Sequence, residues 1–169
     1  FIEVTEPDSL SLDYIISTSP CPGESTGVIE LEASGGNPEY FYSWSNGADT
    51  EILENIASGT YSVEVFDTKG CINSLTIDIP FVEPIEITFE KTNLTCIDQV
   101  DGTATANVTG GYGGYNYMWY DNSNLIYHEN LDNGWYTLTV TDVLDCQSVD
   151  SVYIESNSIS CIDPVNTFT

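Results

Sequence analysis

The sequence predicts an all-β chain of two tandem sandwich domains. Three observations lead there: an internal repeat, period-two alternation of apolar residues, and no window with a helical period. The segment Gly35-Gly36, Tyr40-x-Tyr42-x-Trp44, Gly59-x-Tyr61-x-Val63-x-Val65-x-Asp67, Cys71 recurs at an offset of 75 residues. Its second copy reads Gly110-Gly111, Tyr115-x-Tyr117-x-Trp119, Gly134-x-Tyr136-x-Leu138-x-Val140-x-Asp142, Cys146. Between residues 21–80 and 96–155, 15 of 60 positions are identical, and 11 of them fall on glycines, aromatics, cysteines and a strand-end aspartate. A shared period with shared punctuation marks two copies of one folding unit.

Taken in order, Phe1 to Thr5 alternates like a strand before Glu6-Pro7. The same grammar, Ile77-Asp-Ile79 and then Glu83-Pro84, closes the first copy. Residues 1–6 therefore read as the end of a preceding repeat or a linker, 7–82 as repeat one, 83–156 as repeat two and 157–169 as a linker. Pro7 and Pro84 stiffen the junctions by fixing φ. In repeat one, Leu10 to Ile16 suits a first strand, and Cys21-Pro-Gly-Glu24 is turn chemistry. Val28 to Ala33 alternates, with Ile29, Leu31 and Ala33 on one face. Tyr40, Tyr42 and Trp44 share a face, and Ser45-Asn46-Gly47 is a hairpin signal. Ile52 to Ile56 is a short strand or crossing segment, Tyr61, Val63 and Val65 point inward, and Cys71 to Ile79 closes the unit. Repeat two follows with Ile85–Phe89, Gly102–Val108, Tyr115–Tyr120, Leu125–Leu131, Trp135–Thr141 and Gln147–Ile154. Roughly seven short strands per unit, a mid-domain Trp and a Gly-x-Tyr opening a late strand describe an immunoglobulin-like β-sandwich with a tyrosine corner.

Twenty-seven acidic residues against two basic ones give a net charge of −25. Such a chain repels phosphate backbones and anionic lipid, which excludes nucleic acid and membrane surfaces as partners, and favours an extended array. The sequence shows no signal-peptide pattern and no apolar run long enough for membrane insertion. Cys21/Cys71 and Cys96/Cys146 are equally spaced in the two copies, which predicts one disulfide per domain in an oxidising compartment. The alternative is four reduced, buried thiols. Cys161 is the odd one, either free or paired beyond the repeats. There is no Cys-x-x-Cys and a single histidine, so zinc is not indicated.

The string Cys21…Gly35-Gly36-x-Pro38-x-Tyr40-x-Tyr42-x-Trp44-Ser45-Asn46-Gly47…Gly59-Thr60-Tyr61-x-Val63-x-Val65-x-Asp67-x-x-Gly70-Cys71 resembles a SprB repeat. Repeat two resembles it more loosely, with Asp145 in place of Gly70 and Asp121-Asn122 in place of Asn46-Gly47. That family occurs in large cell-surface proteins of gliding and other Bacteroidetes. The tail Cys161-Ile-Asp-Pro-Val-Asn166-Thr-Phe168-Thr169 is similar to the opening of a type B C-terminal sorting domain of the type IX secretion system. The resemblance implies a secreted, surface-attached array, adhesive or spacing.

No constellation of enzyme groups emerges. His128 reads as a partly exposed strand residue, outside any Gly-x-Ser-x-Gly elbow. If Cys96 bonds Cys146, the turn Asp98-x-x-Asp101 is tethered beside Asp142-x-x-Asp145, and four carboxylates at one bridge call for a cation, by donor type calcium; the alternative is a solvated acidic rim. Tyr112, Tyr120, Tyr127 and Trp135 are extra to repeat two and could hold a sugar ring; the alternative is packing. Asp8-Ser9-Leu10 and Asp150-Ser151-Val152 resemble the O-glycosylation signal of Bacteroidetes surface proteins, which implies Ser9 and Ser151 as glycosylation sites. The expected function is a non-enzymatic extracellular stalk or adhesin segment, cofactor-free apart from calcium, whose partners are neighbouring repeats, surface glycans or copies of itself. The rival readings are a carbohydrate- or protein-binding module sited on repeat two, and an accessory domain of a larger hydrolase.

Overall fold

The computed structural model describes residues 8–157 and 160–161. The expected opening strand of residues 1–6 and the sorting-domain-like phrase from Asn166 lie outside them. The chain separates into two compact units, Phe1–Val82 and Glu83–Thr169. Among the described residues each contains six strands. In the first they are β1 Ser11–Thr18, β2 Gly27–Ser34, β3 Phe41–Trp44, β4 Ile52–Ile56, β5 Gly59–Phe66 and β6 Ile72–Ile79. The second repeats the series as β7 Glu86–Thr92, β8 Gly102–Thr109, β9 Asn116–Trp119, β10 Tyr127–Leu131, β11 Gly134–Thr141 and β12 Gln147–Ile154.

Two three-stranded antiparallel sheets make each sandwich. Their orders are β1-β2-β4 and β3-β5-β6 in the first unit, β10-β8-β7 and β12-β11-β9 in the second. This is the immunoglobulin-like sandwich the alternation predicts, with six strands per unit among the described residues against about seven expected. The Asn46-Gly47 signal does form a tight turn, closed by Gly47 N–H to the Trp44 carbonyl at 2.9 Å. It is not a hairpin, however. β3 pairs with β5 and β4 with β2, so the chain crosses there from one sheet to the other. Asp121-Asn122 makes the same crossing turn, with Asn122 taking the positive φ of Gly47 (66° against 88°).

Alternation gives each unit its own core. Ile29, Leu31, Leu53, Val63, Val65, Ile77 and Ile79 surround Trp44 in the first. In the second, Ala104 and Ala106 stand where Ile29 and Leu31 do, and less volume comes from β8. Phe89 makes up the difference: it sits opposite Ala106 in the ladder and its ring lies 5.9 Å from that of Trp119. Each Trp indole donates across the crossover, to Thr50 O at 2.8 Å and Leu125 O at 2.9 Å. The tyrosine corner is present twice, Tyr61 Oη to Ala57 O at 3.0 Å and Tyr136 Oη to Asp132 O at 2.9 Å.

The cysteine pairing differs from the expectation. Cys96 is bonded to Cys161, with 5.5 Å between Cα atoms, and not to Cys146. Cys71 is a free, exposed thiol, so the predicted Cys21–Cys71 bridge is not made. The reason is strand polarity. Cys21 follows β1, whereas Cys71 precedes β6, whose start lies beside the start of β1: Asn73 Nδ2 donates to Leu10 O at 2.8 Å. An eight-residue strand, about 26 Å, separates the two cysteines. In the second unit β12 likewise runs from Cys146 toward the end that carries Cys96. There Leu94 N–H meets Glu155 O at 3.1 Å and Asn157 Nδ2 meets Thr95 O at 3.1 Å, which delivers Cys161 to Cys96.

The Cys96–Cys161 bond spans 65 residues, nearly the whole of the second sandwich. In the chain-entropy treatment such a closure stabilises by about 4 kcal/mol. Cys161→Ser is therefore expected to lower the melting temperature of the second unit, whereas Cys71→Ser leaves melting unchanged; calorimetry of the two variants, with peptide mapping for the Cys96–Cys161 pair, checks both.

Candidate functional site

The end of each sandwich where β5 or β11 finishes is organised by one carboxylate. Asp67 is 4% exposed and Asp142 1%. Asp67 Oδ1 accepts the N–H groups of Lys69 and Cys71, both at 2.8 Å. Its Oδ2 accepts the Asn37 backbone N–H at 2.9 Å and Asn37 Nδ2 at 3.0 Å. Asp142 repeats the pattern with Leu144 N–H (2.9 Å), Cys146 N–H (3.0 Å) and Tyr112 N–H (2.9 Å). Hydrogen bonds from Asn37 above all, then from the Cys71 and Asn37 amides, hold the Asp67 carboxyl well below the usual carboxylate range against the opposing effect of desolvation. The same carboxylate, through its hydrogen bond first and with burial adding, pushes the Cys71 thiol up. Cys71 is thus a poorly ionised thiol at neutral pH.

This arrangement overturns the expected calcium site. Asp142 already spends its oxygens on backbone donors. Asp98 and Asp101 lie at the other end of the second sandwich, beside the Cys96–Cys161 bond, with the length of β12 between. Asp101 binds Thr95 N–H at 3.1 Å and Thr95 Oγ1 at 2.6 Å, and Asp98 accepts Ser160 Oγ at 2.6 Å. Asp145, at φ 63°, serves the turn in the place of Gly70. The four carboxylates do not converge, and among the described residues no group of three or more His, Cys, Asp or Glu side chains is placed to hold a metal ion.

The four sugar-binding candidates also separate, Tyr127 opening β10 in the β10-β8-β7 sheet. Tyr112 sits at the Asp142 end, its amide on that carboxylate. Tyr120 leaves β9 at the sandwich edge, where its ring stacks on His128 (6.1 Å, 21°) and meets Tyr136 edge-on at 5.4 Å. Trp135 stands on the outer face of β11 at the far end from Asp142, 5.1 Å from the Tyr153 ring. Sequence reasoning missed Tyr153, whose register opposite Trp135 was readable only once β11 and β12 were aligned. Asn133 completes that group: its Nδ2 donates to Tyr153 Oη at 3.3 Å and to Ile154 O at 3.0 Å.

His128 is held by neighbours rather than aimed at a nucleophile. Its Nε2 lies 3.0 Å from Asp121 Oδ2 and its Nδ1 3.1 Å from the Glu129 carbonyl. The Ser123 amide and this imidazole hold the Asp121 pKa down to about 2. With both ring nitrogens directed at these oxygens, Asp121 and His128 lock the crossover turn and form no serine–histidine pair. Ser9 is exposed ahead of β1, and Ser151 lies within β12, its hydroxyl 3.0 Å from Thr137 Oγ1.

The SprB repeat family model matches residues 19–49 and 88–124, one segment in each unit. No curated protein matches the chain. Among solved structures, the N-terminal eight Ig domains of Down Syndrome Cell Adhesion Molecule align at 11% identity and a TM-score of 0.43, covering 89% of this chain and 25% of that one. The C-terminal 282-residue fragment of intimin, solved with the intimin-binding domain of its translocated receptor, aligns at 12% and 0.43, covering 90% and 65%. The amphioxus IgVJ-C2 molecule aligns at 13% and 0.35, covering 89% and 98%. The chain thus spans a quarter of the first of these structures and just under two thirds of the second.

Because the folded-state pKa of Asp67 is depressed, its stabilising effect is complete above the unfolded value near 3.9 and is lost as pH falls below it. Asp67→Asn is therefore expected to melt below wild type at pH 7, with the gap closing under about pH 4; thermal melts of both proteins between pH 2 and pH 8 check this. Millimolar calcium is expected to leave the wild-type melting temperature where it is.

Proposed function

We propose that this chain is a non-catalytic tandem-repeat segment of a secreted bacterial surface protein of the SprB-repeat kind, acting as a stalk or adhesion scaffold. One observation carries the reading. The same self-supporting sandwich is built twice, with its demanding features at a constant offset: the buried aspartate, the tyrosine corner, the indole-capped crossover and the left-handed Asn55 and Asn130. Duplication that keeps the framework and lets the surface vary suits a part whose purpose is to position something else. The SprB match in both units supports a cell-surface setting, and the Cys96–Cys161 bond supports an oxidising one. A Bacteroidetes source, export by type IX secretion and a place in gliding motility are part of the proposal and rest on the resemblances of the sequence.

A load-tolerant spacer unfolds module by module. Under reducing conditions, force spectroscopy of the whole chain is expected to give two separate events, each lengthening the chain by about 25 nm for a unit of this size. With the Cys96–Cys161 bond intact, only about 5 nm of the second unit can be released. A single event covering both units would remove the tandem-module reading.

A further inference from the structure

We infer that the outer face of the β9-β11-β12 sheet binds a neutral polysaccharide. The inference stands independently of the spacer reading, since a stalk can carry such a face or lack it. The observation is a gap in the charge. In a chain of net charge −25, the positions that point outward from this sheet form four cross-strand rows without one ionised side chain. The first is Trp135 opposite Tyr153, and the second is Thr137 opposite Ser151. Met118, Thr139 and Val149 form the third; Asn116, Thr141 and Gln147, all uncharged and polar, form the last. Asp150 belongs to the opposite face by strand alternation, opposite buried Leu138. The corresponding sheet of the first unit, β3-β5-β6, carries Glu64 and Asp78 at the places of Thr139 and Tyr153, and Thr60 at the place of Trp135. The uncharged character therefore belongs to the second unit and not to the fold.

The groups on this face match a sugar. Trp135 is 70% exposed, Val149 60% and Met118 53%, on the central strand β11 and the edge strands β12 and β9 that flank it. Trp135 and Tyr153 present a tilted pair of rings at one end, and Asn133 on the Tyr153 hydroxyl together with Lys91 Nζ on the Tyr153 carbonyl (2.6 Å) fixes that side chain and its strand end. Aromatic rings of this kind stack on the C–H face of a pyranose, and amphipathic Trp and Tyr are favoured anchors wherever one side is apolar and the other wet. About 7 Å further along the strands, the Thr137–Ser151 hydroxyl pair offers both donors and acceptors to ring hydroxyls. Charge selects the occupant. An acidic polymer is repelled by the surrounding carboxylates, and a second copy of the chain would bring its own −25 against this one. A neutral glycan meets neither penalty.

The test uses the whole chain in affinity electrophoresis through native gels containing dextran, galactomannan, soluble starch or hydroxyethylcellulose, with polygalacturonate as the acidic counterpart. At least one neutral polymer is expected to retard the wild type, and polygalacturonate none. Trp135→Thr, which installs the first unit's residue, and Val149→Asp, which adds a charge without touching the ring pair, are each expected to weaken retention at least tenfold with unchanged circular dichroism. Retention by no neutral polymer overturns the inference, as does equal retention of both variants or equal retention by polygalacturonate. A dimer in sedimentation that Val149→Asp dissolves, without polysaccharide retention, assigns the face to self-association instead.

Discussion

A single buried carboxylate closes one end of each sandwich, and much of the local structure depends on it. Where β5 and β11 finish, the turn into the next strand leaves several N–H groups pointing inward, and the Gly-Gly segment after β2 or β8 brings another. One carboxylate has enough lone pairs for all of them. Asp67 gathers three backbone amides and the Asn37 side chain, and Asp142 gathers three backbone amides. Burying a charge is costly unless it is hydrogen-bonded throughout, and here it is. The geometry reaches outward from there. A Cβ at Gly36 or Gly111 would come within 2.9 Å of the carboxylate oxygen, and one at Gly110 would collide with the Pro84 carbonyl. Tyr40 and Tyr115 then bind the carbonyls of Gly35 and Gly110, which ties the loop between the two sheets to the same point.

Alternation made the strands, the core residues and the tyrosine corners legible from the sequence, because burial in a sandwich follows period two directly. What stayed illegible depended on direction. Equal spacing of Cys21/Cys71 and Cys96/Cys146 showed that the two pairs are equivalent, but an offset carries no information about which end of the sandwich a residue occupies. Once β6 and β12 are placed beside β1 and β7, each supposed pair is divided by a strand's length, and the acidic cluster built upon Cys96–Cys146 divides with it. The Asn46-Gly47 turn misled for a related reason: turn chemistry fixes the local reversal and leaves open which sheet the chain enters next.

Comparison of the units separates framework from freedom. The core tolerates exchange at constant volume, as where Phe89 leans over Ala106 in place of the bulk of Leu31, or where His128 takes the place of Leu53 and is held by Asp121. The turns tolerate Asn122 for Gly47 and Asp145 for Gly70, since Asn and Asp reach the left-handed region at moderate cost. The aspartates, corner tyrosines and indoles are not exchanged at all.

Against that fixed background, the substitutions on the outer face of β11 and β12 gain meaning. Trp135 for Thr60, Thr139 for Glu64 and Tyr153 for Asp78 occupy positions whose backbone register is the same in both units. None of them repairs a core, because all three point away from it. Together they remove two negative charges and add two large rings on one face of a chain that is acidic elsewhere. Solubility alone would favour the first unit's choices, and packing is indifferent to them. A neutral glycan, proposed above as the ligand of the second unit's face, would account for that difference from outside the sandwich.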